Sequence, residues 1–134
     1  MADCEENMDW KIDENLPIWA QLVSRIAEEI AAGHYPPGER LPSVRDLAAD
    51  AGVNPNTMQR ALSELEAKGL LITNRTAGRT VTSDAARIEA LRREKAKKQV
   101  NLFLQKMQQL GYSAEDTEQL FRAGMVEIYP HESK

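Results

Sequence analysis

Cysteine is nearly absent from this 134-residue chain, which has Cys4 alone, and histidine is limited to His34 and His131. One cysteine excludes an internal disulfide framework, and three scattered soft ligands leave neither a zinc pattern nor a Cys/His nucleophile. Aromatic residues make up only 5% of the chain, and no apolar run approaches the ~18 residues that a membrane span requires. The first 15 residues are acidic, with no basic stretch followed by an apolar core, so no secretion signal is expected. A cytoplasmic location follows as the expectation, with no metal, no cofactor and no membrane partner. Proline and glycine punctuate the chain at Pro17, Gly33, Pro36-Pro37-Gly38, Pro42, Gly52, Pro55, Gly69, Gly111 and Pro130. What is present, 42% hydrophobic and 28% charged residues, suits one small globular domain with an extension and leaves no room for a two-domain enzyme.

The net charge of -4 argues against a nucleic-acid partner until its distribution is considered. Residues 1–33 carry eight acidic against two basic side chains, whereas residues 82–100 carry three against six. Residues 43–81 are slightly basic and residues 101–134 slightly acidic. The acidity belongs to the two ends, and the middle is mildly positive.

After Asn15-Leu16-Pro17, the residues Trp19, Leu22, Val23, Ile26 and Ile30 recur at helical spacing, and this helix ends at Gly33. Residues 33–38 are turn chemistry, and Leu41-Pro42 keeps the chain extended up to Ser43. Ser43 with Asp46 three residues on reads as a helix start, Val44, Leu47, Ala48 and Ala51 as its inner face, and Gly52 as its end. Asn54-Pro55 then opens a third helix, with Met58, Ala61, Leu62 and Leu65 inward until Gly69. The runs 70–73 and 80–82 flank a polar, basic tip at residues 74–79 and predict a short hairpin. Three helices followed by a hairpin is the order of a winged helix-turn-helix. From Ser83 a long helix is expected up to Gly111, basic in its first half (Arg87 to Lys98). Ala96, Val100, Phe103, Met107 and Leu110 form a coiled-coil-like seam in its second half. Ser113 with Asp116 starts a last short helix carrying Leu120, Phe121, Met125 and Ile128 before Pro130.

In a helix-turn-helix the second helix of the motif enters the major groove, and its exposed N-terminal residues reach base edges. Here these are Asn54, Asn56, Thr57, Gln59 and Arg60. Asparagine and glutamine pair with adenine and arginine with guanine, while Thr57 and free backbone N–H groups suit phosphate. Ser43 and Arg45 of the preceding helix add a phosphate site and a phosphate or guanine contact. Taken singly, Ser43 and Asn54 read equally as plain helix caps, and Arg45 and Arg60 as solvated charges. At the tip, Gly78 permits a tight turn and Arg79 can approach a minor groove, against the plain reading of a hairpin with one exposed arginine.

The strings Pro17-Ile18-Trp19-Ala20-Gln21-Leu22, Gly38-Glu39-Arg40-Leu41-Pro42-Ser43-Val44-Arg45-Asp46-Leu47-Ala48 and Gly52-Val53-Asn54-Pro55-Asn56-Thr57-Met58 resemble the DNA-binding domain of GntR transcription regulators. The resemblance spans roughly residues 10–82. It implies DNA contact by the positions of Ser43, Arg45, Asn54, Asn56, Thr57, Arg60, Gly78 and Arg79. Many members have two glycines in the wing, and this chain keeps only the second. The ~50 residues that follow are too few for a large effector domain. A two-helix tail is similar to the YtrA subfamily, in which such helices build a dimer.

The expected architecture is therefore mainly α with a small β-hairpin. An acidic lead (1–9) precedes a winged helix-turn-helix (10–82), a two-helix dimerisation tail (83–130) and a short end (131–134). Val100, Phe103, Met107, Leu110, Leu120, Phe121 and Met125 are the expected dimer contacts. The expected function is a homodimeric regulator, a repressor in sign, binding a pseudo-palindromic double-stranded DNA operator without catalysis. No residue pattern marks a pocket, and a small-molecule effector is left open. Two rivals are a winged helix that binds protein and a small hydrolase with paired carboxylates. Asn56 and Arg60 argue against the first, and the scatter of the acids over exposed faces and termini against the second.

Overall fold

The structure, a computed structural model, describes residues 9–132. Residues 1–8 of the expected acidic lead and residues 133–134 of the expected C-terminal end lie outside the described residues. The order of elements is α1 (Ile18–Ala31), α2 (Val44–Ala51), α3 (Pro55–Ala67), β1 (Leu71–Asn74), β2 (Gly78–Val81), α4 (Ala85–Gln109) and α5 (Ala114–Ile128). The chain divides into two compact units, one ending at Arg93 and the other starting at Glu94, inside α4.

The first unit is built around α3, which packs against both α1 and α2 and then against β1. Its core follows the helical spacing of the sequence. Leu22, Ile26 and Ile30 from α1 and Met58, Leu62 and Leu65 from α3 are fully buried, with Leu71 and Val81 of the hairpin. Ser43 accepts the amide of Asp46 at 3.1 Å, and Asn54 accepts that of Asn56 at 2.7 Å. Two otherwise orphaned donors are thereby satisfied, each cap contributing about 1 kcal/mol. Gly52 ends α2 with a φ of 72°, a left-handed conformation that costs glycine little.

Three features depart from the sequence expectation. The hairpin pairs Leu71 with Val81 through Asn74 with Gly78, leaving only residues 75–77 as its loop. Asn74 closes that loop because its side-chain oxygen accepts the amides of Thr76 and Ala77, and Gly78 supplies the positive φ that lets pairing resume at once. Gly78 and Arg79 are thus strand residues, not tip residues. Second, residues 39–41 do more than lead into α2. Leu41 N–H donates to Arg79 O and Val81 N–H to Glu39 O, both at 2.9 Å, and Arg40 forms an isolated β-bridge with Thr80, so this extended segment lies along the edge of the two-stranded hairpin. Third, Trp10 is buried and its indole N–H donates to Asp50 at 2.9 Å. With Gln21 holding the backbone of Asp13 at both polar atoms, it fastens the entering chain to the domain.

The start of α4 belongs to the first unit. Ile88 and Leu91 pack against its core, and Arg87, the first of the basic residues of this helix, donates to the carbonyl of Lys68 at 3.1 Å. That carbonyl ends α3, so a positive side chain satisfies an orphan acceptor at the negative end of a helix.

The second unit has little interior of its own. Neither helix buries an apolar side chain within it, and Thr117 is the one buried residue of α5. Phe103 and Phe121 meet with ring centroids 6.2 Å apart. Val100, Leu110, Leu120, Met125 and Ile128 are exposed, and Met107 is half-buried. An open hollow of about 780 Å³ lies along the two helices, lined by Val100, Phe103, Leu104, Tyr112 and Phe121 among others.

Candidate nucleic-acid interface

The turn of residues 52–54 joins α2 to α3, and the buried face of α3 leaves its opposite face at its N-terminal end to solvent. Asn54, Asn56, Gln59 and Arg60 are exposed there, and Thr57 is half-buried. Asn54 is held as a cap through its side-chain oxygen, which leaves its amide NH2 free for a partner. Gln59 donates to Ser63 Oγ at 3.2 Å, one turn on. Arg60 places its guanidinium 4.2 Å from the ring centre of Trp19. A guanidinium held over a ring in this way can still offer N–H donors to paired acceptors such as a guanine or a phosphate presents. Ser43 and Arg45, on α2, are exposed.

The hairpin treats its residues unequally because strand side chains alternate in face. Leu71 and Val81 are paired and buried, so Thr73 and Arg79, the pair two residues along, share their face. Both turn to Glu66 on the last turn of α3. Thr73 donates its hydroxyl to one carboxylate oxygen, and Arg79 Nε lies 3.6 Å from the other. The Arg79 side chain is only 18% exposed, and its Nε has no hydrogen-bond partner in range. Gly78 and Thr80 lie on the opposite face, together with Arg40. The predicted α2 and α3 residues thus lie on the exposed first turns of their helices or just beyond, whereas Gly78 and Arg79 lie on different sides of the wing.

Sequence reading missed three participants. Trp19, taken as core, is half-buried and stacks with Arg60. Glu66 restrains Arg79, and Arg40 stands beside Gly78. The alternation running back from buried Leu71 and Val81 was the available signal for the second; the others depend on contacts between elements distant in the chain.

Charge singles out one group of arginines. In the first unit, Arg25, Arg79, Arg87 and Arg92 each have a carboxylate within 4 Å. Among the described residues Arg40, Arg45, Arg75 and Arg93 have no such partner, and Arg60 has only the indole. In an acidic chain these side chains retain unneutralised charge, as contact with a polyanion requires. Among the described residues no group of three or more His, Cys, Asp or Glu could hold a metal, and no helix is long and apolar enough to cross a membrane.

Two stacked helices with a short turn, a supporting helix and a hairpin wing define a winged helix-turn-helix, a class of DNA-binding regulators. Residues 19–81 match the model of the bacterial regulatory proteins, gntR family. The chain is 32% identical over 109 residues to the HTH-type transcriptional regulator YhcF of Bacillus subtilis, spanning 81% of this chain and 90% of that protein. It is 39% identical over 69 residues to the HTH-type transcriptional repressor YtrA of the same organism, covering 52% of this chain and 53% of YtrA. A GntR family transcriptional regulator from Listeria monocytogenes, at 38% identity, superposes with a TM-score of 0.76 over 84% of this chain and 98% of its own. The chain belongs to the gntR family, and its kin are transcription regulators, not enzymes.

Proposed function

We propose that the protein is a repressor that binds a pseudo-palindromic operator as a homodimer, through α3 in the major groove and the wing beside it. The observation that carries this reading is the exposed start of α3, where Asn54, Asn56, Thr57, Gln59 and Arg60 combine base-reading and phosphate-binding chemistry on a rigid helix. Ser43 and Arg45 supply further phosphate or guanine contacts. Gly78 and Arg79 of the wing add affinity more than specificity, since Arg79 must first leave Glu66. Repression as the sign of regulation is supported by the likeness of residues in the DNA-binding part to the HTH-type transcriptional repressor YtrA. In this reading residues 10–82 bind DNA, and residues 83–130 hold the dimer.

The dimer assignment is supported by the apolar surface of the second unit. Phe103 and Phe121 contact one another, yet Val100, Leu110, Leu120 and Met125 remain open to water, and a second copy of the same surface covers them by two-fold symmetry. Two subunits also match the chemistry of a palindromic site, one recognition helix reading each half. A gel-shift titration on duplex DNA from upstream of the protein's own gene tests the reading. Retardation at a protein concentration that leaves a scrambled duplex free is the expected result. Equal affinity for both duplexes would refute sequence-specific binding.

A further inference from the structure

We propose that Arg40 is a further DNA-contacting residue, a phosphate-binding cation that the wing presents beside Gly78. The inference rests on the reading of α3 and the wing as the DNA face. Arg40 lies outside the hairpin in sequence, but its bridge to Thr80 carries it there. Its neighbours are fixed on both sides, Glu39 accepting from the Val81 amide and Leu41 donating to the Arg79 carbonyl, so the backbone of Arg40 is held as firmly as that of β2.

Strand alternation decides which way it faces. Arg40 bridges Thr80, a position on the opposite face from the buried pair Leu71 and Val81. Arg79 has the reverse parity and faces Glu66. Of these two arginines, the one the sequence singles out is therefore neutralised by an acid of α3, and the one it passes over is free. A Cβ placed on Gly78 would stand 3.6 Å from Arg40 Nε, so the Arg40 side chain lies directly over the glycine backbone. Absence of a side chain at position 78 thus leaves the wing surface to the Arg40 guanidinium, whose planar fork of donors matches two phosphate oxygens. Arg40 is exposed, and among the described residues it has neither hydrogen bond nor ion pair to give up on binding. Arg79 has an ion pair to exchange, so Arg40 contributes more of the wing's affinity.

The test is a fluorescence-anisotropy titration of the full chain on the upstream duplex and on its scrambled counterpart, at several salt concentrations. Variants are Arg40→Gln, Arg40→Lys and Arg79→Gln, with Arg45→Ala reporting on the interface reading itself. Arg40→Gln is expected to weaken binding to both duplexes by about tenfold and to lower the salt slope by about one. Arg40→Lys restores the slope and most of the affinity, and Arg79→Gln costs only a few-fold. Wild-type affinity and slope in Arg40→Gln, with Arg45→Ala impaired, would overturn the proposal while sparing the interface. Wild-type binding in both variants would overturn the interface reading as well. A loss in Arg40→Gln that lysine does not repair, accompanied by a lower melting temperature, would make Arg40 a brace for the segment bridged to Thr80 and overturn the contact.

Discussion

Arg45 and Arg60 are both exposed, but they are held differently. Arg45 is free to move, whereas Arg60 rests on Trp19 of α1. Replacing either with alanine is expected to weaken operator binding by about 1–3 kcal/mol and leave the melting temperature near that of the wild type. If Arg60 reads a base, its loss relaxes sequence preference; a uniform loss across duplexes, with the salt slope reduced by about one, assigns it to phosphate instead. Asn54 separates capping from DNA contact more sharply. Aspartate caps a helix as well as asparagine does, but sets a negative charge against the DNA backbone. Asn54→Asp should therefore melt like the wild type and bind DNA poorly. Unchanged DNA affinity in this variant would remove the start of α3 from the interface.

The hairpin is a two-stranded sheet whose inner face is tied to α3 through Glu66, which engages Thr73 and Arg79 together. One carboxylate thus couples the end of α3 to both strands of the hairpin. Glu66→Gln retains a hydrogen-bonding group for Thr73 but removes the charge that holds Arg79. DNA affinity is expected to rise a few-fold on all duplexes, read by anisotropy, because Arg79 no longer exchanges one anion for another. The rise should vanish in the double variant with Arg79→Ala. If it persists there, the gain comes from lost repulsion between Glu66 and DNA and not from Arg79. In α3 itself, Met58→Ala is expected to cost about 2–5 kcal/mol in denaturant unfolding, because the fully buried side chain leaves a cavity among fixed neighbours.

At the scale of the whole molecule, the two units differ in how far each completes its own core. The first encloses leucine, isoleucine and methionine side chains at or near zero exposure, whereas the second leaves Leu110 61% and Ile128 71% exposed. Apolar surface of that extent is what the proposed dimer would cover. Replacing Phe103 and Met107 together with glutamate is expected to yield a monomer with a folded winged helix. Its operator affinity should fall by several orders of magnitude, since a half-site then supplies all the binding energy. Sedimentation together with anisotropy checks both parts. A wild-type protein that is monomeric at micromolar concentration and still binds a full operator tightly would refute dimerisation.

Local chemistry dictated most of the architecture. Helix periodicity located α1, α2 and α3, the Ser43 and Asn54 caps and Gly52 marked their limits, and the apolar seam marked the tail, because each signal acts within a few residues of its own position. The exposed start of α3 was readable for the same reason, being the complement of a buried stripe. Tertiary packing decided the rest. Whether Arg79 meets solvent or Glu66, whether Arg60 floats or stacks on Trp19, and whether Arg40 belongs to a turn or to the wing all depend on neighbours brought from α1, α3 and β2. An arginine's type and spacing state its charge and reach, but which anion or ring it meets is set by the packing of distant segments, and a single sequence does not contain that distance.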